Sequence, residues 1–135
     1  MRVLALDYGR ARTGLAISDE TGTIARPLAV VERVRTDRGR DDLLRHIARS
    51  EATRIVVGLP LTLRGERGAQ AQETLDFVRE LEARCTIPIE TYDERFTTSL
   101  TKRRREETRG SKASRHDDAE AAAHLLEGYL RRLAG

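Results

Sequence analysis

The sequence is poor in the residues that stabilise secreted and membrane-spanning proteins. It has one cysteine among 135 residues, no tryptophan and an aromatic content of 4%. A single cysteine, Cys85, excludes an intramolecular disulfide, and a buried thiol is the simplest expectation for it. No apolar run approaches the roughly 20 residues that span a bilayer, because Asp7 interrupts the only apolar segment near the N-terminus. We therefore expect a protein of the cytoplasm with no membrane partner.

Length and composition predict a globular fold of modest size. Hydrophobic residues make up 39% of the chain and charged residues 35%, a balance typical of folded proteins. A chain of this length can cover one sheet with helices, so we expect a single domain over residues 1–135. The net charge is only +3, but the basic residues are mostly arginine and are clustered. Local clusters therefore matter more than the sum.

The order of apolar runs and helical stripes predicts an α/β fold. Short apolar runs predict five strands, at residues 3–6, 15–17, 23–34, 54–60 and 87–92. Periodic stripes predict helices from Thr36 or Asp37 to about residue 50, after the loop 61–68 to about residue 84, and from Asp117 or Asp118 to about residue 133. Residues 102–115 are expected to be part helix and part loop. The result is a mixed five-stranded sheet, a three-strand antiparallel meander plus parallel strands, with helices on both faces.

Two of the predicted strands carry a signal about their position in the sheet. Pro27 lies inside the third strand, and proline within a sheet is confined to an edge or a bulge. The run 54–60 is wholly apolar, as expected of a strand that is covered on both faces. The third strand is therefore predicted to lie at an edge or to contain a bulge, and the fourth is predicted in the interior.

An acid stands at the end of the first predicted strand. Val3, Ala5 and Asp7 are two residues apart, so their side chains share one face of that strand. The first two belong to an apolar row typical of a core. The carboxylate of Asp7 therefore needs something to compensate its charge.

A second acid lies on the inward stripe of the last helix. Ala122, Leu126, Tyr129 and Leu133 follow at spacings of four, three and four, and four residues before Ala122 is Asp118. Its neighbour Asp117 is turned about 100° away and is expected to be a solvated cap. Read alone, Asp118 is equally well explained as a first-turn acid favoured by the helix dipole. Two acids that both end core rows favour a shared cation.

The end of the fifth strand offers a third acid. Asp93 and Glu94 are adjacent, so in an extended chain they point to opposite faces and only one can join Asp7. The residues alone leave both open. A cluster of carboxylates suits Mg²⁺ or Mn²⁺, and such sites commonly hold two ions that act on a phosphodiester. The three histidines lack the spacing of a zinc site.

Four motifs, in this order and spacing, are similar to those of the YqgF family, also called the RuvX-like family. The motifs are L-A-L-D-Y-G-R-A-R-T-G-L-A-I-S-D, V-V-G-L-P-L-x-x-x-G-x-x-G, D-E-R-F-T-T and D-D-A-x-A-A-x-x-L-L-x-x-Y-L, and they cover essentially the whole chain. The family contains Holliday junction resolvases and pre-16S rRNA nucleases with a ribonuclease-H-like fold. The resemblance implies a metal-binding and catalytic triad of Asp7, an acid of the D-E-R motif and Asp118. By family analogy Glu94 takes the middle role, with Asp93 as the alternative.

The resemblance implies a reaction as well as a site. It implies a divalent-metal-dependent endonuclease that hydrolyses nucleic-acid phosphodiesters. The substrate is a four-way DNA junction, in recombination and repair, or the 5′ end of precursor 16S rRNA, in ribosome biogenesis. Junction resolution needs two symmetric cuts and hence a homodimer. The sequence does not choose between the two substrates, between Mg²⁺ and Mn²⁺, or between a monomer and a dimer that involves Cys85.

Basic residues near the predicted acids are candidates for holding the nucleic acid. Between residues 102 and 115, seven basic side chains oppose two acidic ones, which suits phosphate binding beside the last helix. The candidates are Arg10, Arg12, Arg95, Lys102, Arg103, Arg104, Arg105, Arg109, Lys112 and Arg115. The simpler alternative is a solvated basic face. Few aromatic residues are available for stacking on bases, so we expect recognition of backbone and shape.

Two other classes of function stay open. The D-Y-G-R-A-R-T-G stretch also resembles the first phosphate-binding hairpin of actin-like ATPases, but 135 residues leave no room for their second domain. The chain also fits a nucleic-acid-binding module without catalysis. The presence of every candidate acid argues against that interpretation.

Overall fold

Five strands and three α-helices make up the described part of the chain. The structure is a computed structural model that describes residues 1–62, 64–96 and 115–135, except the side chain of Arg115. The strands are β1 (Val3–Asp7), β2 (Arg12–Ser18), β3 (Ala25–Glu32), β4 (Arg54–Leu59) and β5 (Ile89–Asp93). The helices are α1 (Asp37–Ser50), α2 (Ala69–Glu82) and α3 (Arg115–Ala134), and a single 3₁₀ turn, Glu94–Phe96, follows β5.

The strands form one mixed sheet in the order β3-β2-β1-β4-β5. β2 is antiparallel to both β1 and β3, whereas β4 is parallel to both β1 and β5. The predicted fold class is therefore confirmed. Because β1, β4 and β5 run in the same direction, their C-terminal ends meet at one end of the sheet, which we call the carboxyl edge. The N-terminal end of antiparallel β2 lies at the same edge.

Both positional predictions for the strands are confirmed. β3 is an edge strand, and the register between β2 and β3 shifts between Leu15 and Ala16, opposite the Pro27 region. A proline at an edge beside an irregularity removes no ladder hydrogen bond that the sheet needs. β4 lies between β1 and β5, and Ile55, Val56 and Val57 are fully buried.

Helices cover both faces of the sheet. On one face, Leu4, Leu6 and Val57 pack with Leu43 of α1 and Phe77 of α2. On the other face, Val3, Ala5 and Val56 pack with residues of α3, including Leu126 and Tyr129. Residues that alternate along β1 thus enter two different cores. Asp7 belongs by alternation to the row beneath α3.

Several predicted element ends, including those of β2 and β5, differ from the structure. β3 is shorter than predicted, and α3 begins at Arg115, so Asp117 lies inside the first turn and is not the cap. Leu133 was predicted on the inward stripe but is 48% exposed, because it lies in the last turn of α3, whose residues are exposed. Thr36 does cap α1, accepting a hydrogen bond from the backbone of Gly39.

The buried thiol expected for Cys85 is confirmed only in part. Cys85 is half-buried and packs against the core beneath α1 and α2, so its thiol is not fully enclosed. Among the described residues, no helix combines the length and the hydropathy of a membrane span.

Candidate active site

Asp7 lies in a hollow of the sheet between two glycines. Its partner across the antiparallel ladder is Gly14, and the pairing of Leu6 with Val57 puts Gly58 beside it on β4. Neither neighbour has a side chain to fill the space above the strand. Asp7 is only 6% exposed, so the surrounding protein largely encloses this acid. Glycine inside a strand often marks the close approach of another group.

The side chain of Glu94 is the group that approaches Gly58. A β-carbon placed on Gly58 would lie 2.8 Å from Glu94 Oε1 and 3.1 Å from its Cγ. The same β-carbon would lie 3.1 Å from Leu125 Cδ2 of α3, so the contact is on the face that carries Asp7. Glu94 therefore occupies the space above β4, next to Asp7.

Asp93 points away from this hollow. Tyr92 packs in the core beneath α3, so alternation along β5 turns Asp93 to the opposite face. There it accepts a hydrogen bond from the backbone N–H of Arg95 at 2.9 Å, and its Oδ2 lies 2.6 Å from Arg95 Nη2. Asp93 and Arg95 thus form a compact ion pair that belongs to the turn itself.

Arg95 connects this turn to the loop between β4 and α2. A β-carbon on Gly65 would lie 3.1 Å from Arg95 Nη1, and Gly65 has a φ of 81°. That backbone conformation suits glycine, and the missing side chain lets the guanidinium lie against the loop. Asp93 and Arg95 therefore hold this loop at the carboxyl edge. A contact of Arg95 with nucleic acid stays a prediction.

Asp118 reaches the site from the first turn of α3. A β-carbon on Gly14 would lie 2.0 Å from the backbone oxygen of Asp118, so the helix start is pressed directly against β2. Gly14 pairs with Asp7, which brings both candidate acids to the same part of the sheet. The predicted inward stripe is confirmed at Ala122, Leu126 and Tyr129, which are all buried.

The carboxylate of Asp118 forms an ion pair with Arg12. Arg12 Nε lies 2.9 Å from Asp118 Oδ2, and the two side chains are 29% and 25% exposed. Arg12 begins β2, two residues before Gly14, so both residues face α3. The pair is thus fixed by the strand and the helix start together.

The donor types fit a hard divalent cation. Asp7 and Glu94 share the hollow, and Asp118 lies beside Gly14, so oxygen ligands come from three separate parts of the chain. In the described ranges, no group of three or more His, Cys, Asp or Glu side chains is already arranged for a metal. The guanidinium of Arg12 supplies positive charge there. The assignment of Asp7, Glu94 and Asp118 as ligands stays a prediction.

The turn between β1 and β2 is held against α2. Arg10 Nε lies 2.6 Å from Glu73 Oε1, and the ring of Tyr8 stacks on Phe77 with 4.7 Å between centroids. Burial raises the pKa of the Tyr8 hydroxyl above its ordinary value. Arg10 is therefore directed toward α2 in this structure, and its contact with nucleic acid stays a prediction.

Most of the predicted basic segment lies outside the described residues. This applies to Lys102, Arg103, Arg104, Arg105, Arg109 and Lys112, and of Arg115 only the backbone is described, as the first residue of α3.

The close contacts at Gly58 and Gly14, which shape the site, were not predicted from the sequence. Gly58 interrupts an otherwise apolar strand, and Gly14 stands between Thr13 and Leu15 in another. A glycine inside a strand signals a close contact, so the pattern held a usable clue. It did not show which group makes the contact.

A sequence model of the RuvX family, described as Holliday junction resolvase, matches residues 1–132. The chain belongs to the RuvX family. Relatives support this assignment: an Anaeromyxobacter sp. (strain K) protein is 41% identical over 138 residues, covering 99% of each chain. A Chloroflexus aurantiacus protein is 37% identical over 130 residues, covering 95% of this chain and 85% of its own. Both are named "Putative pre-16S rRNA nuclease".

Solved structures confirm the ribonuclease-H-like fold of this RuvX-family chain. T. thermophilus RuvC in complex with Holliday junction substrate superposes with a TM-score of 0.59 at 19% identity, covering 100% of this chain and 98% of that one. Fowlpox virus resolvase in complex with Holliday junction DNA gives a TM-score of 0.62 at 13% identity, covering both chains fully. At such low identities the similarity concerns the fold alone.

Proposed function

We propose that this RuvX-family protein is a divalent-metal-dependent endonuclease that hydrolyses nucleic-acid phosphodiesters, with Asp7, Glu94 and Asp118 as the metal ligands. The observation that carries the proposal is that three acids lie at one edge of the sheet: Asp7 pairs with Gly14, Glu94 lies above Gly58, and Asp118 starts the helix that is pressed against Gly14. Arg12 already pairs with Asp118, and a divalent cation would add the positive charge that favours three ionised carboxylates at this edge.

The residues of the site have different roles in the proposed reaction. Asp7, Glu94 and Asp118 would hold Mg²⁺ or Mn²⁺, expected as a pair of ions, and the bound metal would supply charge stabilisation for hydrolysis of a phosphodiester. Asp7 is held by its strand and Asp118 by its helix, so their carboxylates are positioned before substrate binds. The two glycines let Glu94 and the start of α3 lie close against the sheet beside Asp7. Arg12, which pairs with Asp118, is our candidate for contacting the substrate phosphate.

Recognition through the nucleic-acid backbone is the mode that this site favours. Among the few aromatic residues of the chain, Tyr8 is buried against Phe77 and Tyr92 is buried beneath α3. Phe96 is 50% exposed, but the guanidinium of Arg132 lies 3.9 Å above its ring. Stacking on bases therefore contributes little, and arginine and lysine contacts with phosphates dominate.

Two substrates are to be compared directly. The family is described as Holliday junction resolvase, whereas the relatives are named for pre-16S rRNA, so the two names indicate different nucleic acids. Purified protein is incubated with a labelled four-way DNA junction and with labelled precursor rRNA, with Mg²⁺, with Mn²⁺ and with a chelator. Sedimentation in the same buffer gives the oligomeric state, since paired cuts in a junction require a homodimer.

Asp7→Asn is the decisive variant because it keeps the size of the side chain and removes its charge. We expect cleavage to be abolished while folding and nucleic-acid binding stay close to wild type. Asp41→Asn, an exposed acid on α1, is the matched control and should keep full activity. Full activity in Asp7→Asn would end the proposal. Binding without cleavage in both Mg²⁺ and Mn²⁺ would instead support a binding module without catalysis.

A further inference from the structure

The ion pair between Arg12 and Asp118 places a positive charge inside the carboxylate site. Both side chains are about three-quarters buried, at 29% and 25% exposed, and Arg12 Nε lies 2.9 Å from Asp118 Oδ2. The contact follows from the fold, because Arg12 and Gly14 share one face of β2 and Gly14 touches the backbone of Asp118. It is therefore a built feature of the site and not a chance surface pair.

We propose that Arg12 is an exchangeable partner of Asp118, which pairs with this carboxylate until a divalent cation binds and then moves to the substrate phosphate. This inference rests on the proposed function. A carboxylate oxygen that faces a guanidinium cannot be given fully to a metal ion, and the two positive charges repel each other at such distances. Arg12 thus competes with the cation for Asp118.

A phosphate can replace Asp118 as the partner of Arg12 once Asp118 binds the cation. Guanidinium groups bind phosphate oxygens through two parallel N–H donors, so little is lost when Arg12 leaves one anion for the other. The cation and the phosphate therefore strengthen each other's binding through Arg12. Such coupling is reciprocal, since each ligand changes the affinity of the other by the same factor. A nucleic-acid strand that binds before the cation meets an Arg12 that is still paired with Asp118.

The other arginine of the same turn does not share this role. Arg10 pairs with Glu73 of α2 and is directed away from Asp118. A better matched control is Arg2, which also pairs with an acid, Glu20, and is 27% exposed. Arg2 precedes β1 and so lies at the opposite edge of the sheet from the candidate acids.

The first experiment measures Mn²⁺ binding by calorimetry without nucleic acid. Wild type, Arg12→Gln and Arg2→Gln are compared at low salt, after urea unfolding has shown that each variant is folded. We expect Arg12→Gln to bind Mn²⁺ about five-fold more tightly than wild type, and Arg2→Gln to match wild type. Arg12→Lys keeps the positive charge, so it should retain weaker Mn²⁺ binding like that of wild type.

The second experiment measures the coupling to nucleic acid. Ca²⁺ replaces Mn²⁺ so that no turnover occurs, and binding of a labelled four-way junction and of labelled precursor rRNA is followed by fluorescence anisotropy. We expect Ca²⁺ to tighten binding by wild type and to do so about five-fold less for Arg12→Gln. Without a divalent cation, the two proteins should bind equally because Arg12 is then on Asp118.

The outcomes separate this inference from the proposed function. Equal Mn²⁺ affinity in wild type and Arg12→Gln would overturn the exchange and leave the nuclease proposal standing. Equal tightening by Ca²⁺ in both proteins would also overturn the exchange. Failure of wild type to bind Mn²⁺ at all would overturn the metal site itself, and the exchange with it.

Discussion

The carboxylate of Glu94 occupies the space that a side chain on Gly58 would fill, with Oε1 only 2.8 Å from the position of that β-carbon. The identity of one residue of β4 thus decides where an acid of the turn after β5 can lie. Because β1 and β4 are adjacent, the same glycine also lets Glu94 lie beside Asp7. This relationship gives the most specific test of the proposed site.

Gly58→Ala should displace Glu94 and lower the rate of metal-dependent cleavage at least ten-fold, because small displacements of a positioned group are costly in rate. The free energy of unfolding should also fall, by about 1 to 3 kcal/mol, since Glu94 Oε1 can move but Glu94 Cγ and Leu125 Cδ2 would each lie only 3.1 Å from the new β-carbon. Cleavage assays and urea unfolding measure both effects. Gly68→Ser is the control, because the nearest neighbour of its β-carbon would be 3.8 Å away and serine suits this N-cap position. A wild-type rate in Gly58→Ala would contradict the proposed position of Glu94.

Glu94→Gln and Asp93→Asn should differ strongly in cleavage. We expect Glu94→Gln to abolish activity, because Glu94 shares the hollow with Asp7, and Asp93→Asn to retain part of it. Asp93→Asn instead loosens the hold of Arg95 on the loop at Gly65. Trypsin should then cut faster after Arg64 or Arg67, which are both exposed. The reverse pattern of activities would assign the middle role to Asp93.

Gly14→Ala should lower stability as well as activity. Its β-carbon would lie 2.0 Å from the backbone oxygen of Asp118, and a helix backbone cannot yield as a side chain does. We expect the free energy of unfolding to fall by about 1 to 3 kcal/mol, as for overpacked cores. Gly68→Ser is the control for urea unfolding, since serine fits the N-cap of α2 and should be neutral or stabilising. An unchanged midpoint for Gly14→Ala would show that α3 can shift without cost.

Tyr129→Phe should destabilise the protein without affecting cleavage. The buried Tyr129 hydroxyl accepts a hydrogen bond from Arg54 Nη1 at 2.8 Å and donates one to Glu90 Oε2 at 2.8 Å. Both partners lie at the starts of their strands, at the far edge from the candidate acids. Loss of these bonds should cost about 1 to 2 kcal/mol in urea unfolding. A loss of cleavage at full stability would contradict the location of the site.

Stability should also fall at alkaline pH. Burial raises the pKa of Tyr8, Tyr92 and Tyr129 above the ordinary value of 10.0. A raised pKa in the folded state means that the stabilisation is present below pH 10 and is lost as the pH rises through the folded values. Urea unfolding between pH 9 and 11 should show this loss, and Tyr129→Phe should show less of it. A pH-independent midpoint would contradict the burial of these hydroxyls.

Much of the fold followed from local patterns in the sequence. Alternation and periodicity identified the strands and helices, Pro27 indicated an edge, and the apolar run of β4 indicated an interior strand. The same patterns predicted that Asp7 and Asp118 face inward. These properties are local, because each depends on how a residue's neighbours along the chain repeat within one element.

Contacts between distant parts of the chain were decided by the tertiary structure. Alternation showed that Asp93 and Glu94 point apart, but only the packing of β5 beside β4 showed that Glu94 lies on the face of Asp7. The meeting of Arg12 with Asp118 likewise depends on a helix start being pressed against Gly14. The sequence by itself determined which residues face inward, since periodicity is a property of one element. Which of them meet was determined by strand order, register and helix docking, because those depend on how separate elements pack together.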